Sequence, residues 1–105
     1  MKEFAKRANK LERVDVLINN AGIQAWEFEV VNGTEKSVAV NVIGTFLISF
    51  LLLPKLRETG DRFGTTPHMT FVGSALYSTA KYPGGYKEDV FAWLGEKNNV
   101  DMMNQ

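Results

Sequence analysis

The stretch VDVLINN, residues Val14 to Asn20, decides how the chain folds. Four of its first five residues are apolar, and the run is short and nearly continuous. This pattern is typical of a strand that is buried on both faces. Ala21 and Gly22 follow and end the apolar run. The segment therefore predicts a buried strand whose carboxyl end lies at a pair of asparagines.

A second apolar segment runs from Val38 to Leu53, with only four small or polar residues inside it. A helix that is apolar almost all round either spans a membrane or is packed between other elements of a protein. The segment's 16 residues fall short of the roughly 20 that cross a bilayer. It also contains Asn41 and stops at Pro54. We therefore expect a helix packed on a sheet and against a neighbour, and no membrane as partner.

Both ends of this helix carry sequence signals. Asn32 and Gly33 close the preceding loop, and Thr34 is expected to cap the helix, with Glu35 in its first turn. The expected signals at the other end are two basic residues and a glycine, namely Lys55, Arg57 and Gly60.

The segment His68 to Val72 (HMTFV) predicts a second strand. Strand, long helix and strand make a βαβ unit, which implies a parallel pair with a right-handed crossover. Residues 1 to 12 repeat apolar side chains at helical spacing and predict an amphipathic helix. A short helix is expected at Glu88 to Leu94, after a break at Pro83-Gly84-Gly85, and the last eleven residues are polar. The fold class is α/β.

Composition excludes several classes of function. The 105 residues suit one small domain, and 12 basic side chains balance 12 acidic ones, so no charge field favours nucleic acid. The chain has no cysteine and a single histidine, His68, which excludes cysteine-based and histidine-based metal sites. The N-terminus is charged and does not resemble a secretory signal. We expect a cytoplasmic protein without a metal.

Asn19-Asn20-Ala21-Gly22 follows the apolar run, at the end of the sheet where ligands bind in open α/β folds. Small residues let the backbone approach a ligand closely, and an amide side chain can bridge neighbouring loops. Taken alone, these four common residues are more typical of an ordinary turn.

Three segments together resemble the short-chain dehydrogenase/reductase family: VDVLINNAGI, VNVIGTFLISFLLLPKL, and a strand ending in VGS. The resemblance runs from the first helix to the end of the second strand. The residues after VGS are similar to fungal members akin to retinol dehydrogenases, in which an insertion follows the catalytic serine. The resemblance implies a partial Rossmann-like (doubly wound) parallel sheet, with one complete βαβ unit and flanking helices.

The resemblance also implies three sites. Residues Asn19 to Gly22 would support the central strand and line the pocket of a nicotinamide cofactor. Asn41 would kink its helix and hold a water molecule in a proton relay, and Ser74 would hydrogen-bond the substrate carbonyl. The structural alternatives are a buried asparagine satisfied by backbone and a serine in a strand-end turn.

Tyr77 and Lys81 have the Tyr-x-x-x-Lys spacing of a catalytic pair, in which a lysine cation lowers the pKa of a tyrosine that protonates a carbonyl. Three features argue against that role. Tyr77 lies only three residues after Ser74, whereas family members place this tyrosine much later. Pro83 disfavours a helix that would hold the pair. The fungal subgroup has similar residues inside its insertion, with its own pair further on.

The chain also lacks the glycine-rich turn with which family members bind the cofactor pyrophosphate. We therefore interpret residues 1–105 as a partial domain without the glycine-rich segment and without the Tyr-x-x-x-Lys segment. Whether it is an enzyme as it stands is left open, and we expect little activity from it alone.

Two classes of function follow. The first is NAD(P)-dependent hydride transfer between a small-molecule carbonyl and an alcohol, in fungal secondary metabolism, with NADP (or NAD) as cofactor. The second is a catalytically inactive fragment or a partner-binding module, which would form homo- or hetero-oligomers through the helix Val38–Leu53.

Overall fold

The computed structural model describes residues 1–81 and 88–99. The predicted break at Pro83-Gly84-Gly85 and the end of the polar tail lie outside the described residues. Backbone contacts divide the chain into two compact units. The sheet unit comprises Met1–Asn20 and Gly44–Val72, and the loop unit comprises Ala21–Ile43 and Gly73–Gln105.

The described elements, in chain order, are α1 (Lys2–Asn9), β1 (Val16–Asn19), β2 (Val30–Val31), β3 (Thr34–Glu35), α2 (Lys36–Val38), a π-helix (Ala39–Gly44), α3 (Thr45–Phe63), β4 (His68–Phe71), a 3₁₀ helix (Ala75–Ser78), α4 (Val90–Leu94) and a second 3₁₀ helix (Lys97–Asn99).

The sheet unit confirms the predicted βαβ arrangement. β1 and β4 pair in parallel, with the register running from Val16 opposite His68 to Asn19 opposite Phe71. Helix α3 connects them and packs on β1 and on α1. Its buried stripe includes Leu52, Leu56 and Thr59, and the Thr59 hydroxyl accepts a hydrogen bond from the Val14 backbone N–H at 2.9 Å. The fold is therefore α/β with a small parallel sheet and flanking helices.

The prediction that the first strand is buried on both faces is wrong. Side chains alternate between the two faces of a strand. Leu17 and Asn19 are half-buried, and the Asn19 amide is bonded to Ser49 of α3. Val16 and Ile18 are on the opposite face and are 53% and 62% exposed. The helical layer of the sheet unit covers one face of β1 and leaves the other in water.

The predicted start of the long helix is also wrong. Thr34 does not cap it, because Thr34 belongs to β3 and the cap is Glu35. The Glu35 carboxylate accepts hydrogen bonds from the backbone N–H groups of Ser37 and Val38, at 2.8 and 3.1 Å. A carboxylate satisfies the first amides of a helix as well as a hydroxyl does.

The helix continues past Pro54 to Phe63, where Gly64 ends it in the left-handed conformation with a φ of 64°. Pro54 removes one backbone hydrogen bond from the ladder. Leu52 and Leu56 are 2% and 4% exposed and lie on either side of it. Their burial is worth more than the lost bond, so the helix persists. The basic residues expected near its end lie inside it.

In the part of the chain that the structure describes, one helix is long and apolar enough to cross a membrane by length and composition. It spans Lys36–Phe63 and has 28 residues, and 28% of its most apolar window is buried inside the protein.

The loop unit contains a hairpin that the sequence pattern did not predict. β2 and β3 pair antiparallel, with Val30 opposite Glu35 and Val31 opposite Thr34. Asn32 and Gly33 between them have φ values of 52° and 82°. Two successive residues with positive φ form the tight turn for which Asn-Gly is the preferred sequence. This hairpin places Thr34 in β3, one residue before the helix cap Glu35.

Helix α4 confirms the short helix expected near Glu88–Leu94 and packs on β3. The Asp89 side chain caps it by accepting a hydrogen bond from the Ala92 backbone N–H at 2.9 Å. Gly95 follows the helix and lies against the hairpin turn, where an added Cβ would come within 2.5 Å of the Gly33 carbonyl oxygen.

Candidate active site

Asn41 lies in the π-helical turn between α2 and α3 and joins the helix to the loop after β1. Its amide nitrogen donates to the Ile23 carbonyl at 2.8 Å, and its amide oxygen accepts from the Ile23 backbone N–H at 2.8 Å. A π-turn is the kind of helix distortion expected at this asparagine, and such turns are frequent at functional sites. The contacts also match the structural alternative of an asparagine satisfied by backbone. Its role in a proton relay stays a prediction.

Gly22 lies directly beside Asn41. Apart from this contact Gly22 is exposed, and so is Ala21. A Cβ added at Gly22 would come within 3.3 Å of the Asn41 amide oxygen. This is closer than ordinary van der Waals contact, so the asparagine would have to move by a few tenths of an ångström. Glycine at this position therefore preserves the Asn41–Ile23 hydrogen bonds.

Asn19 and Asn20 belong to the sheet unit. The Asn19 amide nitrogen donates to the Ser49 hydroxyl at 3.1 Å, and that hydroxyl donates to the Thr45 carbonyl at 2.8 Å. The Asn19 carbonyl accepts from the Val72 backbone N–H at 3.0 Å, which extends the pairing beyond β4. The Asn19 side chain thus links β1 to α3, and its role beside a cofactor stays a prediction.

Ser74 follows β4 and caps the first 3₁₀ helix. Its hydroxyl oxygen accepts a hydrogen bond from the Leu76 backbone N–H at 3.2 Å, and its backbone is extended. The side chain is exposed. A serine hydroxyl has two lone pairs and one proton, so accepting this bond leaves the proton available for a second acceptor. Such a group can donate to a carbonyl oxygen.

Tyr77 and Lys81 do not share a continuous α-helix. Tyr77 lies in the 3₁₀ helix that ends at Ser78, and Lys81 lies after it. The Tyr77 side chain is 84% exposed. The rigid α-helical span that would hold residues i and i+4 in mutual reach is not formed between these two positions. Whether either residue has a catalytic role stays a prediction.

The structure brings some of the predicted residues together within each unit. In the loop unit Asn41 contacts Gly22 and Ile23, and in the sheet unit Asn19 contacts Ser49. Sequence reasoning missed Ser49 and also missed Ser37, whose hydroxyl accepts from the Ala25 backbone N–H at 3.4 Å. Ser37 lies four residues before Asn41, which is the spacing of one helical face.

The clearest electrostatic feature lies at the start of β1. Arg13 donates two hydrogen bonds to Asp15, at 2.6 and 2.8 Å. These bonds lower the pKa of Asp15 and raise that of Arg13. The pair precedes β1, whereas the candidate residues follow it. In residues 1–81 and 88–99, no group of three or more acidic, histidine or cysteine side chains could hold a metal ion.

A parallel βαβ unit, with polar and small residues following its strands, is the arrangement in which open α/β folds bind their ligands. The short chain dehydrogenase family model matches residues 1–83. The chain is 36% identical over 105 residues to the short chain dehydrogenase FGM9 of Gibberella zeae, covering all of this chain and 31% of that protein. It belongs to the short-chain dehydrogenase family.

Other relatives agree. The short chain dehydrogenase sol3 of Alternaria solani is 33% identical over 106 residues, covering all of this chain and 37% of that protein. The short chain dehydrogenase/reductase mfmJ of Annulohypoxylon moriforme is 40% identical over 86 residues, covering 79% of this chain and 25% of that protein. No solved structure matches. The matches to FGM9 and sol3 cover the whole of this chain, which thus spans about a third of the length of each of these relatives.

Proposed function

We propose that this chain supplies the central part of a nicotinamide-dependent oxidoreductase site, for hydride transfer between a small-molecule carbonyl and an alcohol. Membership in the short-chain dehydrogenase family supports the reaction class. The observation that carries the proposal is Ser74, an exposed serine three residues after the last residue of β4. The fungal sources of the relatives support a place in fungal metabolism, including secondary metabolism.

Ser74 would polarise the substrate carbonyl. Because its oxygen already accepts the Leu76 N–H, the hydroxyl's rotation is restricted and its proton is available to the substrate. A donor held in place before the reaction stabilises negative charge that develops on the carbonyl oxygen as hydride arrives.

A nicotinamide cofactor is compatible with the loop after β1. Ala21 and Gly22 have small or no side chains, so a flat ring can approach their backbone closely. The tight contact between Gly22 and Asn41 supports a loop shape that a larger residue would disturb. In this proposal Asn19 and Asn20 hold the strand end, Asn41 holds the loop, and the bound cofactor supplies the hydride. NADP is proposed ahead of NAD, in a cytoplasmic protein.

A chimera tests this function. Residues 1–105 would replace the matched third of the Gibberella zeae relative, and carbonyl-dependent oxidation of NADPH and of NADH would be followed at 340 nm. We expect activity in the chimera and a loss of roughly 10²- to 10³-fold in kcat for Ser74→Ala, the size of one lost oxyanion donor. Thr79→Ala in the same exposed segment is the matched control. A Ser74→Ala chimera as active as its parent would contradict the role of Ser74.

The isolated 105-residue chain should show little or no carbonyl-dependent NADPH oxidation. The loss of general acid catalysis alone typically costs roughly 10²- to 10⁴-fold in rate. Tyr77→Phe should leave any residual rate unchanged, because Tyr77 is not expected to donate the proton.

The second candidate function is partner binding through the long helix. Phe46, Leu47 and Phe50 of α3 are 49%, 36% and 69% exposed. An apolar helix face of this kind favours association with another chain. Co-expression with a full-length family member followed by size exclusion would test it, because the binding module requires a stable complex of fixed stoichiometry that Phe50→Asp abolishes.

A further inference from the structure

Ser37 is a buried polar residue for which the reaction chemistry has no use. It lies in α2, and its side chain is 2% exposed. Its hydroxyl oxygen accepts a hydrogen bond, at the long distance of 3.4 Å, from the backbone N–H of Ala25. Burying a hydroxyl is costly unless it is hydrogen-bonded. The contact therefore has a structural or positioning purpose.

The contacts of Ser37 and Asn41 match the spacing of the loop that they hold. Ser37 bonds to Ala25, and Asn41, four residues later, bonds to both backbone groups of Ile23. Ser37 lies in α2 and Asn41 in the π-helix that follows it, and their loop partners Ala25 and Ile23 lie two residues apart. The loop runs in the opposite direction to the helix, so one helical face can hold alternate loop residues.

Glu35 fixes the position of Ser37 itself. Its side chain is fully buried, and one carboxylate oxygen accepts the Ser37 backbone N–H at 2.8 Å. Its backbone is also held, because Glu35 pairs with Val30 in the hairpin. With its backbone fixed, Ser37 has a single side-chain torsion left with which to adjust its hydroxyl to the loop.

We propose that Ser37 is a positioning residue for the loop after β1, which is proposed to line the cofactor. Ser37 and Asn41 together form a two-point clamp, in which Ser37 holds Ala25 and Asn41 holds Ile23. The ligand class that this clamp serves is the nicotinamide ring and its ribose, so this part rests on the proposed function. Asn41 holds the loop next to Gly22, and Ser37 holds its continuation. Loss of the Ser37 hydroxyl leaves the Ala25 N–H without its acceptor and lets the loop open at that point.

Single-residue hydrogen exchange by NMR on the 105-residue chain tests the clamp. Ser37→Val removes the hydroxyl. Ser37→Thr introduces a side chain of nearly the same volume as valine but keeps the hydroxyl. We expect Ser37→Val to speed exchange of the Ala25 amide by roughly fivefold, the effect of one net hydrogen bond. Ser37→Thr should stay within about twofold of the parent. An Ala25 exchange rate unchanged in Ser37→Val would overturn the clamp.

The Val14 amide, bonded to Thr59 in the sheet unit, is the internal control for global unfolding. If Ser37→Val speeds exchange at Val14 as well, the substitution has destabilised the whole protein. The smaller variant Ser37→Ala is then used instead, and its exchange at Ala25 is compared with its exchange at Val14.

Titration of the chimera described above with nicotinamide mononucleotide, followed by chemical shifts at Gly22 and Ile23, tests the link to the cofactor. We expect Ser37→Val to weaken binding by roughly fivefold and Ser37→Thr to retain it. Equal binding by Ser37→Val and the parent, despite faster Ala25 exchange, would overturn the cofactor role of Ser37. Failure of the parent to bind would overturn the proposed cofactor site, while the exchange data would still decide the clamp.

Discussion

In the sheet unit, leucines on successive turns of α3 share a buried stripe with the polar Thr59, whereas in the loop unit the most deeply buried side chains are all polar. Leu52 and Leu56 are 2% and 4% exposed, and Glu35 and Ser37 are 0% and 2% exposed. Apolar packing is non-directional and tolerates small shifts, but hydrogen bonds require a particular geometry. The difference shows that the loop unit, which contains Gly22 and Asn41, depends more on directional contacts than on apolar packing.

Among the substitutions that test this difference between the two units, the largest loss of stability is expected in the buried part of the sheet unit. Leu52→Ala removes a buried leucine from α3 and should lower the free energy of unfolding by about 2–5 kcal/mol, because it leaves a cavity. Urea denaturation followed by circular dichroism measures the change. Leu47→Ala, on an exposed part of the same helix, is the control. A loss at Leu52 no greater than at Leu47 would mean that apolar packing does not hold this unit.

The corresponding change in the loop unit is Glu35→Ala, with a somewhat smaller expected effect. It removes the acceptor for the Ser37 and Val38 backbone N–H groups and should cost about 1–2 kcal/mol of stability. Urea denaturation again gives the value. Glu29→Ala, which removes an exposed partner of Lys36, should cost less. Equal losses of stability in Glu35→Ala and Glu29→Ala would contradict the expectation that buried polar contacts stabilise the protein more than exposed ones.

Gly95→Ala tests how closely α4 is attached to the hairpin. The added Cβ would come within 2.5 Å of the Gly33 carbonyl oxygen and 3.1 Å of the Ala92 carbonyl oxygen, so the backbone must shift. We expect a cost of about 1–2 kcal/mol and faster amide exchange at residues 90–94. Gly73→Ala, where an added Cβ meets nothing within 4 Å, is the matched control. Unchanged exchange in α4 would contradict the attachment.

The smallest effect is expected at the Arg13–Asp15 pair of the sheet unit, whose side chains are about 40% exposed. The hydrogen bonds from Arg13 hold the pKa of Asp15 below its ordinary value of 3.8. The stabilisation is therefore present above that value and is lost as the pH falls through the folded-state pKa. Asp15→Asn should lower Tm by only about 1–2 °C at pH 7. A difference that persists at pH 2 would show that it does not come from the charge.

Much of the sheet unit could be predicted from sequence. The apolar runs around Val16 and Leu52 predicted a strand and a long helix, because burial against non-local partners imposes hydrophobic patterns. The exposed face of β1 could not be read from the pattern, since Val16 and Ile18 are as apolar as buried residues. The expected helix-end signals Lys55, Arg57 and Gly60 lie inside α3, because sequence signals do not include the packing that carries the helix past them.

Less of the loop unit was predictable. Asn32-Gly33 is a strong hairpin signal, but Thr34 and Glu35 directly after it also fit a helix start, so the local pattern does not decide between hairpin and helix cap. Family resemblance points to Asn41 and Ser74 but does not give their hydrogen-bond partners. Such contacts depend on where the backbone of Ile23 or Leu76 lies, and no periodic pattern encodes that position.

The water-exposed face of β1 also has a thermodynamic consequence. Heat capacity rises on unfolding in proportion to the apolar area newly exposed, and a folded chain of this length typically gives about 1.3–1.6 kcal/mol/K. Val16 and Ile18 are already more than half exposed in the folded state and contribute less to that change than buried residues do. We expect calorimetry on the isolated chain to give a value below that range, and therefore a flatter dependence of stability on temperature.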